Sequence, residues 1–246
     1  MTDTLIKRPE LTMPVAEAAR VTEAYRLADV ILEYGSGGST VLASELPGKT
    51  VFSVESDQAW ARMMQKWLVQ NPPLPGTQVE VIWCNVGDTG DWGRPVNDKG
   101  WRHYADYPLA VWQRDDFVQP DVVLVDGRFR TGCAMAAAFG TTRPITLLVD
   151  DYKRRDGYHV IEEFLGAPRL IGRMAEFEVL PMAEAVRRRI AESYPAYDDF
   201  RITASIGVAS HNTDHRGVQL FGAASAATVC GSRWTTSGRA TPPWPT

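Results

Sequence analysis

Apolar residues along the chain alternate between two textures. Short runs dense in aliphatic and β-branched residues recur at 30–32, 50–55, 79–84, 121–126 and 144–149, each of strand length. Between them the apolar spacing turns helical. Trp60, Met63, Met64, Trp67 and Leu68 fall at i, i+3, i+4, i+7 and i+8, one face of a helix whose expected role is core packing against a sheet. Residues 15–29 lack Pro and Gly and are rich in helix formers. A short helix is predicted over 39–46, stopped by Pro47-Gly48, and another over 131–139 with small residues. Val160, Ile161, Phe164 and Leu165 mark the face of one more. Two last strands are predicted at 170–182 and 200–208, with a helix over 183–193 between them. The alternation predicts an α/β fold, a doubly wound and mostly parallel sheet.

Two stretches break this rhythm. Residues 88–117 hold Trp92, Trp101, Tyr104, Tyr107 and Trp112 among Gly, Asp, Pro and Arg. A long aperiodic segment with that aromatic density predicts an ordered flap over the carboxyl edge of the sheet. Beyond residue 208, Ala, Gly, Ser and Thr dominate and periodicity is lost. The expected organisation is a loose N-terminal arm at 1–14, one α/β domain at 15–208 carrying the insertion 88–117, and a low-complexity tail at 209–246.

Composition narrows the classes. A chain of 246 residues accommodates one such domain and not two full ones. A net charge of −4 gives no general attraction to nucleic acid or to an anionic membrane, so neither is an expected partner. Cys84, Cys133 and Cys230 are too scattered for a disulfide framework or a zinc cluster. No secretory signal and no window near the roughly 20 apolar residues of a membrane span is present, which makes the cytoplasm the expected location.

The chemistry gathers at the first strand. Its apolar run leads into a turn with Gly35, Gly37 and Gly38 and then a helix. Glycine lets a ligand approach bare backbone there, and the helix start presents N–H groups. The other strand ends also carry polar groups: Glu33, Glu55, Asn85, Asp126, Asp150 and Asp151. Open α/β sheets bind ligands along that edge. Glu55 follows Gly35 by 20 residues, the spacing at which an acidic side chain meets ribose hydroxyls. Glu33 repels a pyrophosphate and suits an ammonium-bearing ligand. Thr40 stands where a dinucleotide turn wants glycine, and no phosphate-cradling Gly-x4-Gly-Lys run occurs.

Glu33-Tyr-Gly-Ser-Gly-Gly-Ser39 together with Glu55, Asn85 and Asp126 resembles the class I S-adenosylmethionine-dependent methyltransferases, over residues 15–208. Ser39 replaces the last glycine of the family motif. The resemblance implies a Rossmann-like sheet of seven strands, the last antiparallel, and S-adenosylmethionine as cofactor. It implies Glu33, Gly35, Ser36, Gly37 and Ser39 at the methionine part, Glu55 at the ribose and Asn85 at the adenine. The runs 88–95 and 123–130 look like a small bacterial methyltransferase-like subgroup of unidentified substrate.

The acceptor is then a small molecule or a protein. Asp126 is the first candidate to orient or deprotonate it. Arg128 and Arg130 suit a clamp on an acidic acceptor, or equally an ion pair with Asp150 and Asp151. Asp126 with Asp150 and Asp151 also resembles the magnesium triad of catechol-type O-methyltransferases. Asp151 replaces the expected Asn there, and two arginines stand close, so no metal ligand is assigned. A further alternative is a methyltransferase-shaped nucleoside-binding protein without catalysis. Glu55→Ala is expected to weaken cofactor binding with little loss of fold.

Overall fold

A computed structural model describes residues 5–181. Seven strands form one sheet: β1 (Val30–Tyr34), β2 (Thr50–Glu55), β3 (Gln78–Trp83), β4 (Val122–Val125), β5 (Ile145–Val149), β6 (Arg169–Ile171) and β7 (Met174–Val179). Their order is β3-β2-β1-β4-β5-β7-β6. β7 runs antiparallel to both neighbours and the other pairings are parallel. The sheet is thus the Rossmann-like, mostly parallel one predicted. The chain winds outward from β1 to β3 and returns to place β4 on the other side of β1. That reversal opens the crevice in which doubly wound sheets bind ligands.

The helices are α1 (Val15–Leu27), α2 (Gly38–Ser44), α3 (Gln58–Gln70), α4 (Asp106–Leu109), α5 (Arg130–Gly140) and α6 (Glu162–Leu165). Strand residues alternate between two cores because successive side chains leave opposite faces. Leu32, Tyr34, Val54, Val123, Val125 and Leu147 pack with α5 and the insertion. Ile31, Val51, Leu124 and Leu148 pack with Val21 and Tyr25 of α1. Each such aliphatic side chain contributes about 1.5–3 kcal/mol on burial. α5 approaches closely because its buried positions are mostly small, with Gly140 lying directly against the Trp112 ring.

Four features depart from the sequence reading. The strand expected at 170–182 is a hairpin, β6 and β7, folded at Gly172 with φ +57°. A window dominated by extended-chain formers hid this turn. The helix face marked by Val160 to Leu165 is a 3-10 turn (Asp156–Ile161) leading into one turn of α6, with Ile161 buried but Phe164 half exposed. Trp60 is not wholly a core residue. It is 42% exposed, and its indole N–H donates to the Ser36 carbonyl at 2.8 Å.

The N-terminal arm, over residues 5–14, is docked rather than loose. The Ile6 N–H donates to Gln70 Oε1 at 3.2 Å, and Arg8 grips Glu45 at 2.8 Å. The Glu10–Leu11 backbone lies so close to Gly38 that a Cβ there would overlap it. Gly38 is therefore required by the arm. The predicted helix at 183–193, strand at 200–208, tail at 209–246 and Cys230 fall outside the described residues. Among the described residues no helix is long and apolar enough to cross a membrane.

Candidate active site

The turn after β1 is built from both sides of the crevice. Gly35 has φ +102°, and a Cβ on it would meet the Gly127 backbone nitrogen at 2.7 Å. Gly127 opens the turn after β4, so the two turns touch across the point where the strand order reverses. Only glycine fits that approach at that φ.

Glu33 and Glu55 leave the same face of the sheet, since Glu33 registers with Ser53, two residues before Glu55. They do different work. Glu33 is fully buried beneath the turn. Its oxygens accept from the Tyr25 hydroxyl at 2.7 Å and the Thr40 hydroxyl at 2.6 Å. Burial pushes its carboxyl pKa up, against these donors. Thr40 Oγ1 in turn accepts the Gly37 N–H at 2.9 Å. Glu33 thus braces the Gly turn from below, through Thr40, and does not reach an open surface as the direct partner of an ammonium group.

Glu55 ends β2 and is itself buried, under Gly93 of the insertion. Its Oε1 accepts the Ser56 and Asp57 N–H groups at 2.7 and 2.8 Å, and its Oε2 accepts the Ser36 N–H at 3.1 Å. Burial raises this carboxyl too, while the three N–H groups oppose the shift. Oε2 receives one donor in the structure, and a carboxylate oxygen accommodates two. That leaves room for a hydroxyl. Ser36 Oγ pairs with Ser53 Oγ at 2.7 Å, and Ser39 is buried at the start of α2. Asn85 is exposed past β3, its Oδ1 accepting the Gly87 N–H at 2.9 Å.

A second cluster closes β4 and β5. Asp150 is buried, and Arg173 forks onto it at 3.1 and 2.8 Å. Burial works against the ionised Asp150, but Arg173 and the Asp151 N–H outweigh it and hold this carboxyl below its ordinary range. Asp126 behaves oppositely. Burial pushes its pKa up to about 7, Arg130 opposes the shift, and the charges of Asp150 and Asp151 add to it.

Arg130 is consumed inside the protein. It reaches the carbonyls of Gly127, Asp126 and Asp150 and pairs with the Asp126 carboxylate at 3.0 Å. Asp151 adopts φ +54° and meets Arg173 at 3.1 Å and Arg155 at 3.3 Å. Arg130, Asp150 and Asp151 thus form, with Arg173, the ion pairing that the sequence offered as the alternative to a clamp on the acceptor. The same arrangement does not fit magnesium. Arg130 and Arg173 already supply the positive charge, and the carboxylates do not form an open oxygen cage.

The insertion lies over both clusters. Thr89 bridges to Pro95, and this small loop sits on the end of β2. There Ser56 Oγ donates to the Gly93 carbonyl at 3.0 Å, and Thr89 Oγ1 donates to Asp57 at 2.8 Å. Trp92 in the loop has φ +61° and is 82% exposed. Tyr107 is buried over the crevice. Its hydroxyl donates to the Val54 carbonyl at 3.2 Å and would collide with a Cβ at Gly127. Beside it, a cavity of about 290 Å³ is lined by Val54, Ile82, Cys84, Asn85 and Tyr107. Ligand sites run from roughly 300 to 1,000 Å³, which puts this cavity at the small end of that range. Burial pushes the Cys84 thiol up to about 12, which leaves it no nucleophile.

Several site residues carry no local signal. Tyr25, Thr40 and Ser53 surround Glu33 through contacts that spacing does not reveal. Arg173 reaches Asp150 only because β7 returns antiparallel. The close fit of Gly127 under Tyr107 depends on where the insertion lands. The aromatic density of that insertion was the available clue.

No protein-family model matches the chain, and no curated protein does. Solved structures do match. A methyltransferase-like protein from Silicibacter pomeroyi DSS-3 is 61% identical, with a TM-score of 0.70, covering 75% of this chain and 96% of its own. The 16S rRNA N2 G1207 methyltransferase of T. thermophilus, in complex with AdoMet and guanosine, matches at 14% identity and a TM-score of 0.42, covering 69% of this chain and 43% of its own. The second likeness is too distant to carry an argument; the first covers nearly all of its counterpart at high identity. The chain belongs to the methyltransferase-like proteins of the class I S-adenosylmethionine-dependent fold.

Proposed function

We propose that the chain transfers a methyl group from S-adenosylmethionine to an acceptor that meets Asp126. The observation that carries this reading is the placement of Glu55 and the bare Gly35–Gly37 backbone on one side of the crevice and Asp126, with its pKa near neutrality, on the other. When bound, the cofactor supplies a methyl carbon already activated on sulfonium sulfur, and the sulfur keeps the bonding electron pair.

The protein has the remaining tasks. Glu55 and Asn85 hold hydroxyl and amide-type donors, and Gly35, Ser36, Gly37 and Ser39 shape the methionine end. Glu33 keeps that turn in place through Thr40. Asp126 takes the acceptor's proton as its lone pair forms the new bond to carbon, a role suited to a carboxyl tuned close to the working pH. The insertion excludes water once closed, with buried Tyr107 and half-buried Trp112 as its wall.

The test is a labelled-methyl screen. Tritiated S-adenosylmethionine is incubated with the protein and with small-molecule and protein extracts, with Asp126→Asn alongside. Label should pass to an acceptor with the wild type and drop by about 10²-fold or more with the variant, the scale of a lost general base. Cofactor binding without any transfer would instead mark a methyltransferase-shaped binding protein.

A further inference from the structure

Arg128 lies in the turn between β4 and α5, and the charges of Arg130, the first residue of α5, and of Arg94 from the insertion both act on it. Arg130 is fully engaged, as described above. Arg128 differs. Among the described residues no carboxylate pairs with it, and its buried Nε lacks a hydrogen-bond partner. Burial lowers its pKa, as do the charges of Arg130 and Arg94, while the nearby Tyr158 and Tyr107 phenols offset this in part. A guanidinium remains charged under such pressure. The turn therefore holds a half-buried cation whose buried Nε–H is unpartnered, two residues from Asp126.

A half-buried charge without a counter-ion is disfavoured until an anion joins it. Nε–H and the adjacent NH2 form one edge of the guanidinium fork, which matches two oxygens of a carboxylate or a phosphate. We propose that the methyl acceptor is an anionic molecule, and that Arg128 alone pairs its carboxylate or phosphate group. This rests on the proposed methyl transfer for the word acceptor, but the anion subsite is testable without it. It also narrows the clamp expected from the sequence to one arginine, because Arg130 supports Asp126 instead.

The experiment follows arginine Nε–H resonances of the full ¹⁵N-labelled chain during titration with inorganic phosphate and, separately, acetate. Each series is run with and without S-adenosylhomocysteine. The resonance missing from Arg128→Lys should shift and saturate, and Arg128→Gln should bind phosphate at least tenfold more weakly than the wild type. S-adenosylhomocysteine affinity should stay within twofold in both variants. If one variant fails to fold, the other still assigns the Arg128 resonance by its absence, and the wild-type shift of that resonance decides. A wild-type spectrum that phosphate and acetate leave unchanged overturns the proposal, as does equal binding by Arg128→Gln. Phosphate binding at Arg128 with no S-adenosylhomocysteine binding would keep the subsite and reject the methyltransferase reading. Phosphate and acetate separate the two oxyanion chemistries by which one saturates first.

Discussion

Asp126→Asn tests the electrostatics of the β4–β5 cluster in a way that leaves shape nearly unchanged. The folded carboxyl titrates at about 7, against about 3.9 in an unfolded chain, and at about 1.36 kcal/mol per pH unit the gap amounts to about 4 kcal/mol. The side chain is 33% exposed, and solvent screening reduces the figure to about 2 kcal/mol. Below about pH 4 the group is protonated in both states and contributes nothing to the difference. Between about pH 4 and 7 the unfolded chain ionises while the folded one keeps its proton, so stability falls as pH rises. Above about pH 7 the loss is complete. Asparagine cannot ionise, yet it still accepts from Arg130. The variant should therefore gain about 2 kcal/mol on the wild type between pH 4 and pH 8. Urea unfolding at four pH values across that span, extrapolated linearly to water, gives both curves. A difference that stays constant with pH would refute the reasoning.

Other outcomes follow from the same geometry. Thr40→Val removes both the donor to Glu33 and the acceptor of the Gly37 N–H; it should cost about 3 kcal/mol, read as a melting point lower by about 6–12 °C. Glu55→Ala was expected to spare the fold, but Glu55 anchors three backbone N–H groups. The alanine should lose about 2–4 kcal/mol by chemical denaturation, from orphaned donors at about 1–3 kcal/mol each that are partly rehydrated. Glu55→Gln is the cleaner probe of cofactor binding. Gly38→Ala should expel the arm from α2, seen as faster proteolysis within residues 5–14 while the sheet keeps its amide protection. Gly127→Ala should displace Tyr107 and raise solvent access to the crevice, measurable as quenching of tyrosine and tryptophan emission by acrylamide.

The sheet was readable because its central strands, β1, β2, β4 and β5, are buried on both faces and the period of the pattern changes wherever an element ends. The hairpin at Gly172 was not, because one glycine inside an apolar run marks a turn only when both flanks pair with each other. Strand-end positions of Glu33, Glu55, Asp126 and Asp150 followed from the same pattern. Their division of labour did not. Whether a carboxylate faces a ligand or a buried hydroxyl depends on Tyr25 and Thr40. Likewise Arg130 and Arg128 look equivalent in sequence, and only the carbonyls around Arg130 separate them. The sequence also suggested glycine at position 38 for a ligand, whereas the docked arm takes that space.

Titration calorimetry decides whether a sulfonium nucleoside lies in the crevice against Glu55. The full chain is titrated with S-adenosylhomocysteine and with NAD, alongside Glu55→Gln. One S-adenosylhomocysteine should bind per chain, with at least a tenfold loss of affinity in the variant and no heat of binding from NAD. Binding of NAD in its place, or equal S-adenosylhomocysteine affinity in both proteins, would contradict that placement.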